Sequence, residues 1–269
     1  MYVFNVCVLL LSSEKGASIW LTTIPLKEHG FRLNKQQFID AIAMRYDLRL
    51  KDVPKSCACG KDYSINHCLS CKNGGFIHMR HNIVRDSVHE LLQEICKDVK
   101  LEPMLLPVTN EELPAGSNVT DGARADVSSL GFWNPLSRAF FDIRVVNPLA
   151  ETNWKKESSS MYKDHEKAKK KEYNDRILEI EKGTFTPLVF SCCGGAGTEA
   201  TKFIKHLATR ISDKRQEQYS LTVSYIRRRI RFDILKKCVI SFRGERKTQN
   251  QRRELHEIDF GTERVGLVA

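Results

Sequence analysis

Apolar positions in four stretches of the chain recur every three or four residues, the spacing of one face of an α-helix. The clearest stripe runs from His78 to Val99 and predicts a helix of about six turns. Residues 162–182, 198–211 and 219–242 show the same period, and the first and last of these are highly charged. Residues 12–54 predict short helices separated by turns.

Runs rich in β-branched and aromatic residues predict four strands, at 101–108, 122–130, 138–146 and 185–191. Prolines 103 and 107 place the first at a sheet edge, because proline cannot donate to a strand ladder. The order helix, three strands, helix, strand, helix predicts an α/β fold with a small mixed sheet flanked by helices. A helical segment and a cysteine-rich loop precede it.

Composition narrows the function classes. Apolar residues form 41% of the 269-residue chain, enough for a core. No apolar run approaches the roughly 18 residues of a membrane span, so we expect no membrane partner. Lys and Arg number 43 against 33 Asp and Glu, a net charge of +10 that favours nucleic acid as partner, although a solvated surface explains the same count.

Four of the nine cysteines fall within fifteen residues, which favours a metal site in a reducing, intracellular compartment over disulfides. The spacing Cys57-x-Cys59-x7-His67-x3-Cys71 supplies three thiolates and one imidazole, a complete set of ligands for structural zinc. So short a segment buries little, and the metal would supply its folding energy. Cys68 is an alternative ligand, and a merely thiol-rich loop is the alternative interpretation.

Two carboxylates interrupt apolar strands. Asp126 and Asp142 each stand where an isolated charge would be poorly solvated, so each is expected to be paired, hydrogen-bonded or bound to metal. If their strands pair, the two carboxylates can share Mg²⁺, which polarises a phosphodiester and orients the attacking water. Glu102 is a candidate third ligand, and Glu90 another unless it faces solvent.

A lysine run on the helix after these strands supplies candidate cations. Any of Lys169, Lys170 and Lys171 can point back at the carboxylates to steady developing charge. Arg144 competes for that place but is a poor proton-transfer group, because guanidinium stays protonated. The ordinary alternatives are an Asp142–Arg144 ion pair on an exposed strand face and a solvated helix surface.

Two further patterns suggest phosphate contacts. Arg227, Arg228, Arg229 and Arg231 lie on the last predicted helix, where they can face a DNA backbone or simply solvent. Residues Gly194–Gly197 separate a strand from a helix, and there a tight turn is a simpler explanation than a phosphate cradle.

The order of these motifs resembles the C-terminal region of non-LTR retrotransposon polyproteins that carry a restriction-enzyme-like endonuclease. The resemblance covers residues 15–240 and rests on the Cys-Cys-His-Cys knuckle, Arg80-His81-Asn82, Arg-Ala-Asp126, Phe-Asp142-Ile-Arg and the lysine-rich helix. Ala125 stands where the family usually has Pro, and Arg144 where many relatives of the fold have Lys.

The resemblance implies a PD-(D/E)xK fold in which Asp126 and Asp142 bind divalent metal. A helix lysine would complete the site, with Lys170 expected and Lys169 as alternate. It implies a helical remnant of the polymerase region at 1–54, a zinc knuckle at 55–76, a nuclease domain at 77–213 and a basic helix with a tail at 214–269. Arg80 and His81 are assigned to nucleic-acid binding with the four arginines of that helix.

The leading hypothesis is therefore a Mg²⁺-dependent endonuclease that nicks DNA inside the nucleus, with RNA as a possible further partner. The main alternative is a catalytically inactive, zinc-containing nucleic-acid-binding module derived from such an element. A zinc-stabilised adaptor that binds no nucleic acid is a third hypothesis.

Overall fold

The computed structural model of this chain describes residues 10–246. A 3-10 turn lies at Ile19–Leu21. Along the chain, the elements are α1 Lys35–Tyr46, α2 Ile65–Ser70, α3 Phe76–Gln93, β1 Lys97–Leu101, β2 Val127–Leu130, β3 Arg138–Val146, α4 Ser158–Glu179, β4 Thr184–Ser191, α5 Thr198–Arg215 and α6 Tyr219–Ser241.

The four strands form one mixed sheet in the order β1-β2-β3-β4. The first two pairings are antiparallel, whereas β3 and β4 run parallel and are joined by α4 as the crossover helix. Val127 of β2 lies opposite Phe141 of β3, and this register continues to Leu130 opposite Arg138. The predicted α/β class with a small mixed sheet and flanking helices is confirmed.

The first strand lies earlier than the sequence pattern predicts. Residues 97–101 pair with β2, so α3 ends at Gln93 rather than continuing to Val99. Of the segment predicted as a strand at 101–108, Leu101 ends β1, and the described residues after it contribute an isolated bridge between Met104 and Arg124. Proline lacks the N–H that a ladder needs, and Pro103 and Pro107 interrupt this segment.

Helices cover both faces of the sheet. Side chains alternate across a strand, so Phe140 of β3 packs with Tyr173 and Ile177 of α4. The next residue, Phe141, points the other way and packs at 5.1 Å between ring centroids against Phe203 of α5. By the same alternation Asp142 faces α4, which brings it towards the lysine run.

The largest core cluster joins segments that are distant in sequence. Trp20, Leu69, Phe141 and Leu235 all belong to it, so the N-terminal segment, the cysteine-rich segment, the sheet and α6 share one apolar core. The four-part division at 54, 76 and 213 stays a prediction. Across residues 10–246, no helix combines the length and the hydropathy needed to cross a bilayer.

Candidate metal centre and carboxylate cleft

The Cys-His cluster has the dimensions of a tetrahedral metal site. Sγ of Cys57 and Sγ of Cys71 lie 3.8 Å apart, and Sγ of Cys59 lies 3.9 Å from Sγ of Cys71 and 3.4 Å from Nε2 of His67. A tetrahedron with metal–sulfur bonds of about 2.3 Å has edges of about 3.8 Å. All four ligand atoms lie within 4.8 Å of one another, so these residues can hold one metal ion.

Local structure brings the four ligands together. A bridge between Ser56 and Asp62 closes a tight turn, in which Gly60 adopts a φ of 84° that favours glycine. The hydroxyl of Ser64 accepts a hydrogen bond from the backbone N–H of His67, which starts α2 and places the imidazole towards the turn. Cys71 follows immediately after α2. This short helix and turn explain why ligands fourteen residues apart converge.

Protonation in this cluster is consistent with metal binding. A backbone N–H of Lys61 lowers the pKa of the exposed Cys59 thiol. Burial lowers the pKa of His67, so its ring is neutral at pH 7 and carries a free lone pair. Burial raises the pKa of Cys57 to about 11 in the metal-free protein, and a bound cation reverses that preference. Cys68 is 1% exposed within the core cluster and lies outside this ligand set.

The second centre is a cleft of about 510 Å³ that contains both predicted carboxylates. Asp126 comes one residue before β2, and the β2–β3 register places it opposite Asp142 on the same face. One oxygen of Asp126, Oδ2, accepts the backbone N–H of Ile143 at 2.6 Å, which fixes this carboxylate against β3. The predicted pairing of the two acidic strands is therefore present.

Asp142 is a buried carboxylate with one unsatisfied oxygen. The residue is 6% exposed, and its Oδ2 has no hydrogen-bond partner within residues 10–246. Burial raises the pKa of Asp142 to about 6, and the charge of Asp126 adds to the rise while Lys169 opposes it. An unpartnered buried carboxylate oxygen is costly, and a bound cation would satisfy it.

Adjacent lysines on α4 have different partners. Nζ of Lys169 donates to Oδ1 of Asp142 at 3.2 Å and lies 3.3 Å from a Glu172 oxygen. Burial alone would lower the pKa of Lys169, but these two carboxylates outweigh it and the pKa is raised, so the ammonium is charged. Lys170, the expected site lysine, instead donates to Glu199 at 2.8 Å. The placement favours the alternate, Lys169.

Glu102 lies beside Asp126 in the backbone but its carboxylate turns elsewhere. Its N–H donates to the carbonyl of Asp126 at 2.9 Å, whereas its side chain is paired with Arg85 and lies 3.9 Å from Arg124. The side chain is 48% exposed. In this arrangement Glu102 neutralises arginines rather than adding a third carboxylate to the cleft. The other candidate, Glu90, pairs with Arg229 of α6.

Two arginines assigned to nucleic-acid binding, Arg80 and Arg231, are internal. Arg80 is 2% exposed and donates to the carbonyl of Leu69. Arg231 is 6% exposed and donates to the carbonyls of Ala17 and Cys192. Guanidinium groups can satisfy buried carbonyls, so charge count alone overstated the exposed basic surface.

The remaining basic candidates also differ from expectation. Arg227, Arg228 and Arg229 are half-buried, because α6 packs against α3, α5 and α1. The side chain of His81 contacts the carboxylate cleft, where its Nε2 lies 3.0 Å from Oδ2 of Asp126. The assignment of these residues to nucleic-acid binding stays a prediction.

The glycine-rich segment forms a turn with its own internal partners. Gly194 has a φ of 105°, and the N–H groups of Gly194 and Gly195 donate to the hydroxyl of Ser191. At the start of α5 the backbone N–H of Glu199 donates to the carboxylate of Glu166 at 2.9 Å. The carboxylate of Glu166 thus lies at the N-terminus of α5, where the phosphate hypothesis would place a bound phosphate.

Sequence reasoning missed two basic residue types in the cleft, Arg124 and His165, and left Arg144 only as a competitor of the lysines. Arg124 is two residues from Asp126, and His165 is one helical turn before Lys169. Residues at these spacings share a face of a strand or of a helix, so the sequence could have predicted that both line the cleft. Burial and the nearby charge of Arg144 lower the pKa of His165 to about 4. The cleft therefore places two arginines and one neutral imidazole around the carboxylates.

Comparison with known protein families and with curated proteins found no match to this chain.

Proposed function

We propose that this chain is a metal-dependent DNA endonuclease domain of the non-LTR retrotransposon type, which hydrolyses one strand of its target. The single observation that carries the proposal is the cleft in which the unpartnered Oδ2 of Asp142, the carboxylate of Asp126 and the ammonium of Lys169 converge. The order of motifs supports a relation to that family and its restriction-endonuclease-like fold.

The donor set of the cleft fits a divalent cation. Asp126 and Asp142 would hold it through carboxylate oxygens, the ligands that Mg²⁺ prefers. A bound Mg²⁺ supplies a polarised phosphodiester oxygen and a more acidic water. The backbone N–H of Ile143 keeps Asp126 in place, and the ammonium of Lys169 remains close enough to stabilise negative charge that develops on the phosphate.

The rim of the cleft suits a phosphate backbone. Arg124 has a 53% exposed side chain and Arg144 is exposed, and both line the cleft. Contacts of this kind give affinity that depends on salt and read little sequence. The Cys-His cluster, loaded with zinc, would hold the knuckle that packs Leu69 into the core beside this rim. A nuclear location follows from DNA as substrate.

The test is nicking of supercoiled plasmid by the zinc-loaded full chain with and without Mg²⁺. Lys169→Met is expected to slow nicking by roughly 10²- to 10³-fold, the effect of removing one charge-stabilising donor. Lys170→Met is the matched control, because this neighbour pairs with Glu199. Asp142→Asn is expected to reduce nicking to the background rate.

Two results would reject the proposal. One is a wild-type rate equal to that of Asp142→Asn, and the other is equal effects of the two lysine substitutions. If the wild type binds DNA but does not cut it, the chain is the inactive zinc-containing binding module.

A further inference from the structure

His81 contacts the carboxylate cleft from a different layer of the fold. It lies in the second turn of α3, and its side chain is 29% exposed. Its Nε2 lies 3.0 Å from Oδ2 of Asp126, the same oxygen that accepts the N–H of Ile143. His81 is therefore a neighbour of the oxygen that would face a bound cation.

Both ring nitrogens of His81 face oxygen acceptors. Nδ1 lies 3.2 Å from Oδ1 of Asn82, and Nε2 faces the carboxylate of Asp126. A neutral imidazole has only one N–H. When Nδ1 donates to Asn82, Nε2 of a neutral ring turns its lone pair towards a carboxylate oxygen, and this contact is satisfied either by a proton on Nε2 or by a cation bound to both atoms.

We propose that Nε2 of His81 is a third ligand of the divalent cation held by Asp126 and Asp142. Two ligands at right angles on an octahedral ion, each about 2.1 Å away, are about 3.0 Å apart, as Nε2 and Oδ2 are here. A second observation is independent of His81: Oδ2 of Asp142 lines the same cleft, buried and unpartnered among residues 10–246.

Asn82 completes the arrangement expected of a metal-binding histidine. Such a histidine donates its other ring N–H to an oxygen, which fixes the tautomer and orients the ring. Oδ1 of Asn82 is the oxygen facing Nδ1. The cation would thus have one nitrogen and two carboxylate ligands from the protein.

This donor set changes the expected metal. Carboxylates and water suit Mg²⁺, whereas an imidazole nitrogen adds preference for first-row transition ions. The site should therefore bind Mn²⁺ more tightly than Mg²⁺, with His81 as the cause of the difference. This inference rests on the metal site of the proposed function, but it concerns the ligands and not the reaction.

The experiment measures bound Mn²⁺ by electron paramagnetic resonance in the zinc-loaded full chain without DNA. Modulation from a directly coordinated ¹⁴N is expected in the wild type. His81→Ala should remove it and weaken Mn²⁺ binding at least about tenfold, with a smaller loss for Mg²⁺ measured by competition. His165→Ala is the matched control, since His165 lines the same cleft and should leave the ¹⁴N signal in place.

A second variant separates coordination from positioning. His81→Gln can still donate to Asp126 and so preserve its orientation, but it offers no ring nitrogen lone pair. Loss of ¹⁴N modulation in both His81 variants supports the inference. If the Mn²⁺-bound wild type shows no ¹⁴N modulation, or if the modulation persists in His81→Ala, the inference is overturned. An imidazolium–carboxylate ion pair then explains the contact between His81 and Asp126.

The two proposals fail in different ways. Nicking that depends on Asp142, in a protein without ¹⁴N modulation, would keep the function and reject His81 as ligand. Modulation in a protein that never cuts DNA would keep the ligand and reject the nuclease.

Discussion

Nζ of Lys169 lies 3.2 Å from one oxygen of Asp142, while the other oxygen of the same carboxylate is buried without a partner in the described chain. The ion pair offsets part of the cost of burying this charge, and the remaining oxygen is available to a cation. Under the proposed function, this carboxylate would contact the Lys169 ammonium through one oxygen and a bound cation through the other.

Removing the metal from the Cys-His cluster should destabilise the protein. We expect one tightly bound zinc per chain, measured by metal analysis, and a fall in Tm of at least about 5 °C after chelation, because zinc contributes folding energy to such segments. Cys59→Ser should lower zinc content, and since Cys59 is exposed the change costs little packing.

Cys193→Ser is the control for that substitution, because Cys193 is a partly exposed cysteine outside the ligand set. Equal zinc content in the two variants would contradict the assignment of Cys59 as a ligand.

The rim arginines should determine the salt dependence of DNA binding. Arg124→Gln and Arg144→Gln should each reduce the slope of log affinity against log salt by about 1, the effect of losing one phosphate contact. Fluorescence anisotropy with a labelled duplex measures the slope. Lys182→Gln removes the same charge from a 76% exposed side chain outside the cleft and should leave the slope unchanged. An equal reduction of this slope in all three variants would indicate only an effect of net charge.

Arg176 should stabilise the loop that precedes Asp126. It is fully buried and donates to the carbonyls of Leu106, Asn118 and Thr120, at 2.8, 2.7 and 3.1 Å respectively. Arg176→Lys leaves buried acceptors unsatisfied, so the free energy of unfolding should fall by about 3 kcal/mol or more. Urea unfolding measures this change.

Arg124→Lys, at a 53% exposed side chain, is the comparison variant for Arg176→Lys and should change stability little. Similar unfolding midpoints for the two variants would show that Arg176 does not stabilise this loop.

Asp233 should make stability fall as pH rises through the mildly acidic range. Burial raises its pKa to about 6 although Ser87 donates to it and Arg229 and Lys236 lie nearby, with Glu90 adding to the rise. A raised folded-state pKa gives stability that is full below pH 4 and lost as pH approaches and passes 6. The difference between this pKa and the ordinary pKa of an Asp carboxyl corresponds to a loss of up to about 3 kcal/mol in the free energy of unfolding.

The comparison variant for this pH effect is Asp233→Asn, which cannot titrate. Its unfolding free energy relative to wild type should rise between pH 4 and 7, and parallel pH profiles for the two proteins would contradict the prediction.

Periodicity predicted the elements whose packing follows one face. Arg138–Val146 was recognised as a strand because its residues are β-branched or aromatic and flanked by turn signals, and the structure has the same bounds. Lys97–Leu101 escaped notice because an exposed edge strand of charged residues needs no apolar alternation. This strand forms because it pairs with β2, and the local sequence pattern of residues 97–101 does not indicate that pairing.

The candidate site was predictable as a set of residue types but not in its detailed partners. Neighbouring residues on a helix point about 100° apart, so whether Lys169 or Lys170 reaches Asp142 depends on how α4 sits over the sheet. The internal positions of Arg80 and Arg231 depend on carbonyls from distant segments. Sequence spacing contains neither kind of information.

The position of Lys169 on the crossover helix orders the assembly of the cleft during folding. The antiparallel strands β2 and β3 are close in sequence and can pair before the parallel β3–β4 contact exists, which brings Asp126 and Asp142 together early. The ammonium of Lys169 reaches Asp142 only when α4 packs over the sheet, which the pairing of β4 with β3 holds in place. A nascent chain that ends before β4 would therefore carry both acids and Lys169 without the strand that fixes the lysine over them.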